Sequence, residues 1–295
     1  MEIQFQSTGN TSGFATWLKG FKEMSNTLLI EIDTTGKQFV SKTFTQDKTV
    51  VKFGRASFDE AGLEVVFLKG KDQKKMTAEE WEQSGEQRRI LFGIYDSLDR
   101  FIKVVDLFSG SENFKFTLKF SDVDGKFITS KAEFKSLTLN MKVDGSDISN
   151  SEFKEISDEQ FMNGIAAMEN PMKFNVNIDV IKMLLNVSNI YSTDAKKDVI
   201  MFSSKKDGDA WTLHAIDHNS GSFDYIVAYL SADAQNPVET LLPVIRNNFI
   251  LATKSDIDNA TITLSGLDGQ TGLKLRIDSG DNFSTVIASV NVDEN

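Results

Sequence analysis

The sequence predicts an α+β fold made of repeated strand–helix–strands units. Three observations carry this prediction: an apolar pattern with helical spacing recurs three times at nearly even intervals, short alternating or β-branched runs fill the intervals, and each helical stripe has cations on its polar side.

The stripes come first. Phe14, Trp17, Leu18, Phe21 and Met24 fall at i, i+3, i+4, i+7 and i+10, and Leu98, Phe101, Ile102, Val105 and Phe108 repeat that spacing 84 residues on. Val180, Met183, Leu184, Val187 and Ile190 do so again after 82 more. Side chains three and four apart stack on one helix face, so each set predicts an amphipathic helix. A fourth unit is expected at Pro243–Lys254, where Ile245, Phe249 and Ala252 fit the stripe and Asn248 does not; this segment is read as a short helix.

Between the helices the chain reads as strands. Thr27–Ile32, Gln38–Phe44, Thr49–Phe53, Leu63–Leu68 and Arg89–Ile94 are β-branched or aromatic runs separated by Gly, Asp, Lys and Asn turns. Phe114–Phe120 alternates strictly, as a half-buried antiparallel strand does, and Ile128–Phe134 and Leu137–Val143 continue the sheet. After the third helix come Val199–Ser203, Trp211–Ile216, Phe223–Leu230, Thr240–Val244, Ala260–Leu264, Leu273–Ile277 and Ser284–Val290. The polar, acidic stretch Asp144–Pro171 reads as a connector, which gives domains at 1–145 and 173–295 joined by 146–172. Lys69–Arg89 reads as an insertion forming an exposed helical excursion capped at Thr77.

Composition narrows the classes of function. A chain of 295 residues, 40% hydrophobic and 25% charged, has ordinary globular values and most naturally forms two domains. No apolar run approaches the roughly 20 residues of a membrane span, and MEIQFQSTGN lacks the basic start and apolar core of a secretory signal, so a cytoplasmic protein is expected. The absence of cysteine excludes disulfides, thiolate metal sites and cysteine nucleophiles. A formal charge of -11 argues, on average, against a polyanion as partner, although an average can hide a local reversal.

Catalytic or metal chemistry is hard to assemble. His214 and His218, the two histidines, have a spacing that makes a metal pair only on a helix, whereas here it falls on a strand and its turn. Asp122, Asp124 and Gly125 resemble the opening of a calcium loop without its twelfth-position glutamate, which reads as a β-turn. The glycines of Ser265–Gly272 do not follow a strand and open a helix, and no Walker motif is present; a hairpin is expected there. Neither a metal, a cofactor nor catalytic residues are expected.

The polar faces of the repeated helices say more. Lys19 and Lys103 each lie five residues past the first apolar member of their stripe, and Arg100 and Lys182 each lie two past it. These offsets point about 140° and 200° away from that member, off the core. Lys22 flanks the first helix, Arg246 and Lys254 bracket the fourth, and Asp99 and Asp106 dilute the signal on the second. Singly these are ordinary solvated cations; their recurrence at matched positions points to a shared basic surface on an acidic molecule.

At this point the chain resembles a DNA polymerase sliding clamp, and specifically the two-domain, PCNA-like clamps (processivity factors) of T-even-type bacteriophages. The resemblance rests on Ile90–Phe108 (ILFGIYDSLDRFIKVVDLF), on Phe174–Ile190 (FNVNIDVIKMLLNVSNI), and on the closing ATITLSG and GLKLRIDSGDNFSTVIASV, and spans nearly the whole chain. It implies a two-domain DNA-clamp fold in which each domain is two strand–helix–strands units with helices on one face of antiparallel sheets. It further implies a homotrimeric ring that encircles double-stranded DNA without reading its sequence, with Lys19, Lys22, Arg100, Lys103, Lys182, Arg246 and Lys254 facing the duplex. The partners it implies are a replicative DNA polymerase, an ATP-dependent clamp loader and, for phage clamps, late-transcription factors, in the host cytoplasm if the protein is viral. Clamps dock partner peptides beside the connector, where Phe161, Met162 and Ile165 with Val290 and Val292 are the candidates; residues of this kind also simply pack a connector onto its domains. The insertion at 69–89 and the long acidic connector depart from the family pattern. Two other classes stay open: a β-rich, ring-forming structural virion protein, and an enzyme on a β-rich scaffold.

Overall fold

The computed structural model describes residues 2–8, 11–69, 74–84, 89–94, 97–109, 111, 113–144, 161, 166–168, 171–192, 198–217, 224–229, 237–253, 259–265 and 274–290. The chain divides into two compact units, Met1–Thr43 with Phe53–Glu155, and Phe44–Lys52 with Ile156–Asn295. The division falls inside the expected connector, most of which lies outside the described residues. Pro171 and Met172 already belong to a strand, and the short segment 44–52 goes with the second unit.

The first unit runs β1 (Glu2–Ser7), α1 (Ser12–Lys22), β2 (Leu28–Asp33), β3 (Gln38–Phe44), β4 (Val50–Ser57), β5 (Leu63–Lys69), β6 (Lys74–Met76), α2 (Ala78–Gln83), β7 (Ile90–Ile94), α3 (Leu98–Ser109), β8 (Lys115–Lys119), β9 (Ser121–Val123), β10 (Lys126–Thr129), β11 (Lys131–Lys135) and β12 (Asn140–Asp144), with β4 starting in the other unit. One antiparallel sheet has the order β12-β11-β8-β1-β5-β6, and a second contains β3-β2-β7-β10-β9. The run Ile128–Phe134, expected as one strand, is broken at Ser130: β10 joins β7 in parallel, while β11 pairs antiparallel with β8 in the other sheet. Strand β1 is an edge-free central strand, and its alternation buries Ile3 and Phe5. The turn before β10 has Asp124 and Gly125 at φ 50° and 76°, the left-handed pair of a type I′ hairpin, so the calcium-like triplet is a turn.

Register builds an aromatic layer in this unit. Phe5 stands opposite Phe116, and Phe116 opposite Phe134. The Phe5 and Phe116 rings stack at 4.5 Å, and those of Phe116 and Phe134 at 5.5 Å. Helix α1 lays Phe14 on Phe39 and Phe116, while α3 lays Phe101 and Phe108 on Phe134. All five stripe residues of each helix are buried. The excursion at 78–83 does form with its Thr77–Glu80 capping box, but it is anchored: Trp81 is buried and stacks on Phe67 at 5.0 Å. With the β2–β3 turn and β5 it lines a cleft of about 760 Å³.

The second unit runs β13 (Pro171–Asn177), α4 (Ile178–Tyr191), β14 (Val199–Asp207), β15 (Ala210–Asp217), β16 (Asp224–Tyr229), β17 (Thr240–Ile245), α5 (Arg246–Thr253), β18 (Asn259–Ser265), β19 (Lys274–Ser279) and β20 (Phe283–Ala288). Its antiparallel strands order as β13-β18-β19-β20 and β16-β15-β14-β17. Strands β18 and β19 pair as the hairpin expected around Ser265–Gly272, of which residues 266–272 lie outside the described set. His214, on β15, hydrogen-bonds Asp224 at 2.6 Å and Thr212 at 2.9 Å; His218 is outside the described residues. Among the described residues no three acidic or histidine side chains gather as a metal site.

The third stripe is out of phase with the expectation. Helix α4 buries Ile181, Leu184 and Ser188, leaving Met183 51% and Ile190 75% exposed. The buried positions fall one residue after the expected ones, so the third stripe begins at Ile181, with a serine at its fourth place and Leu185 only half-buried. In α5 the misfit Asn248 is buried because its amide donates to Thr49 Oγ1 at 2.9 Å. The carbonyl of Thr49 accepts from Ala288 N–H at 2.9 Å, tying segment 44–52 to the second unit.

Two stability predictions follow from close contacts. A Cβ on Gly13, in the first turn of α1, would lie 1.9 Å from the Glu60 carbonyl oxygen. Gly13→Ala therefore pushes α1 off its seat and costs about 1–3 kcal/mol, read as a lower urea midpoint at unchanged m-value. Lys52 is buried, its ammonium 4.8 Å from the Phe283 ring, and burial pushes its pKa down to about 7. The unfolded chain keeps its proton up to about pH 10.4 while the folded protein releases it near 7, so stability rises with pH across that window. Urea titrations of Lys52→Met beside the parent should show a difference that drifts in the parent's favour by up to about 1.4 kcal/mol per pH unit between pH 7 and 10.

Candidate nucleic-acid interface

Helices α1 and α3 pack together in the first unit and present the charged surface that the stripes imply. Burying Phe14, Trp17, Leu18 and Phe21 turns Lys19 and Lys22 outward; burying Leu98, Phe101, Ile102 and Val105 does the same for Arg100 and Lys103. Four cations thus face two carboxylates, Asp99 and Asp106, on an otherwise acidic chain.

The charges form a ladder between the helices. Lys22 Nζ lies 2.6 Å from Asp99 Oδ1, Lys103 Nζ lies 2.6 Å from Asp99 Oδ2, and Lys19 Nζ lies 3.1 Å from Asp106. Low numbers on α1 meet high numbers on α3, so the helices run antiparallel and the C-terminal end of α1 meets the N-terminal end of α3. Basic residues in the last turn of α1 and Asp99 in the first turn of α3 each complement a helix dipole. Hydrogen bonds from Lys103 and then Lys22 hold the Asp99 carboxyl down to about 2, and the bond to Asp99 raises Lys22. Exposed pairs of this kind are worth little and are screened by salt, so the cations stay available. Lys103 is 73% exposed, and among the described residues Arg100 is an exposed cation of the pair with no ion pair of its own.

The second unit does not repeat this surface among its described residues. Lys182 is exposed and lies 3.9 Å from Asp179, one turn away on α4. With the stripe re-phased to Ile181, the α4 position matching Lys19 and Lys103 is Asn186. Arg246 is a correction to the DNA-facing set: it is only 4% exposed, and its guanidinium donates to Ser188 Oγ at 3.1 Å and to Asn189 Oδ1. It fastens α5 to α4. Lys254 lies outside the described residues.

The peptide-docking candidates also change. Phe161 is completely buried, so it packs the interior and offers no surface to a peptide. Val290 is half-buried and its N–H donates to the Pro243 carbonyl at 3.0 Å. Met162, Ile165 and Val292, and Tyr95 and Asp96 of the Ile90–Phe108 segment, lie outside the described residues.

Sequence comparison finds no matching family model and no matching curated protein. Structural comparison finds PCNA clamps along the full length. The chain is similar to A. fulgidus PCNA bound to the C-terminal region of FEN-1, with TM-score 0.62, 13% identity, and 99% of this chain and 100% of that one covered. It is similar to PCNA from Thermococcus kodakaraensis at TM-score 0.59 and 13% identity, with 98% and 100% covered. It is also similar to a PCNA2–PCNA3 complex from Sulfolobus tokodaii at TM-score 0.53 and 13% identity, with 98% and 99% covered. The fold is therefore the PCNA-like clamp fold expected from the sequence.

The buried guanidinium gives a test that separates structure from surface charge. Arg246→Ala should cost about 2–4 kcal/mol by leaving its α4 partners unpaired, while Lys182→Ala should cost under about 0.5 kcal/mol; thermal unfolding of both measures it.

Proposed function

We propose that this chain is the subunit of a sliding clamp, a ring that encircles duplex DNA and tethers a replicative polymerase for processive synthesis. The observation that carries the reading is the cationic α1–α3 face on a chain of net charge -11 with a PCNA-like fold. A negative molecule with one positive helical surface attracts phosphates there and repels them elsewhere, and lysines that meet phosphates need no base sequence. Lys19, Lys22, Arg100 and Lys103 form the proposed contact set, with Lys182 as the contribution of α4. Three chains closing head to tail make the ring, and the polymerase and an ATP-driven loader are its partners. The local likeness to T-even-type clamps extends the proposal to a phage protein acting in the host cytoplasm, with late-transcription factors as further partners.

Light scattering across a dilution series should give a mass near three chains. Reversing Lys19, Lys22, Arg100 and Lys103 to Glu should leave that mass unchanged and reduce the salt slope of duplex binding by about 3–4, one for each lost phosphate contact. A stable monomer indifferent to DNA would overturn the ring and favour a structural or enzymatic role.

A further inference from the structure

We infer that Asp99 and Asp106 set the strength of the proposed DNA contact by competing with phosphate for Lys19, Lys22 and Lys103. The inference rests on the proposed DNA-facing role of α1 and α3 and adds a regulator to that surface. Three of its four cations are held by these two carboxylates, Lys22 and Lys103 by separate oxygens of Asp99, and Lys19 by Asp106. Every member of the ladder is at least partly solvent-exposed, so each lysine can swing from carboxylate to phosphate without first crossing a desolvated state.

That swing is an exchange of one anion for another. The gain on binding is smaller than for a free lysine, because the carboxylate stays beside the ammonium and repels the incoming phosphate. It also gives the lysine a partner to return to as the duplex moves on. Helix stability explains Asp99, which sits in the first turn of α3. It does not explain Asp106, which lies in the last turn, where a carboxylate opposes the dipole and where α3 carries no basic residue. The partner that Asp106 meets is Lys19 on the other helix. Arg100, without an ion pair among the described residues, remains the cation free to make first contact.

The test is equilibrium binding of the full-length protein to a short linear duplex, which a ring can thread from its ends, across a potassium chloride series. Asp99→Asn, Asp106→Asn and the double variant are compared with the parent and with Lys19/Lys22/Lys103→Glu. Asparagine keeps the side-chain shape and removes the charge. The double variant should bind about three- to tenfold tighter at low salt, with a salt slope steeper by about 1–2. Its one-dimensional diffusion on stretched DNA should slow in proportion. Unchanged affinity and slope in both Asp106→Asn and the double variant, with the lysine reversal still abolishing binding, would overturn the inference and leave the DNA-facing reading intact. Indifference of binding to the lysine reversal would overturn both. Asp106→Asn alone decides the matter if loss of Asp99 destabilises α3, since Asp106 lies away from that helix's N-terminus.

Discussion

The aromatic layer of the first unit is the constraint on which its surface depends. Phe5, Phe116 and Phe134 are aligned by strand register across β1, β8 and β11, and Phe39 brings the other sheet to the same layer. Both helices dock on it through rings, Phe14 and Trp17 from α1 and Phe101 and Phe108 from α3. Large rings on a pleated surface fix a helix in rotation as well as position, since a turn of one residue would put Lys22 in place of Phe21 on α1 or Arg100 in place of Phe101 on α3. Gly13 completes the seating, because only a hydrogen there admits the Glu60 carbonyl. The direction in which Lys19, Lys22, Arg100 and Lys103 point is thus a consequence of packing on the opposite side of the same helices.

The second unit reaches a similar arrangement of strands and helices with a different core. Its helices meet the sheets mostly through aliphatic side chains, with Phe202 against Phe249 as one aromatic contact. A guanidinium replaces part of the apolar docking: Arg246 reaches from α5 to Ser188 and Asn189 on α4. A buried charge of this kind adds little net stability, yet it specifies which helix faces meet, because its hydrogen bonds are directional. The cost appears at the surface, where the cation that sequence position assigns to the outside has been spent inside.

How much of this was legible in the sequence depended on whether hydrophobicity alone decided the outcome. On α1 and α3 every apolar stripe position is buried, so the spacing read directly as structure, and so did the outward cations. On α4 the exposed Met183 and Ile190 imitate the stripe and Ser188 inverts it, which shifted the phase by one residue. Arg246 and Asn248 misled for the same reason: each is a polar residue whose burial is licensed by specific hydrogen-bond partners distant in sequence, Ser188 and Asn189 for Arg246 and Thr49 for Asn248. The break at Ser130 was illegible because both halves of 128–134 have strand character, and only tertiary pairing shows that they belong to different sheets. The cap of α2 was legible from Thr77 and Glu80, whereas its anchor through Trp81 needed the stacking partner Phe67. The α1–α3 charge ladder was half legible: the lysines stood out by recurrence, but Asp99 and Asp106 looked like dilution until their distances showed them to be partners.

On the proposed reading, this uneven legibility has a physical origin. A surface that must hold a polyanion loosely asks for sign and spacing of charge, and long-range attraction to phosphates tolerates almost any placement of a lysine on an exposed helix face. Such a surface leaves no tight motif in a sequence, unlike a metal site or a nucleophile, where tenths of an ångström decide. What it does impose is an upper limit on strength. An unopposed row of four cations would gain with every phosphate engaged, and mobility along the duplex falls as that gain rises. Carboxylates interleaved with the lysines lower the gain while preserving the net sign, so the surface attracts DNA without fixing it in place.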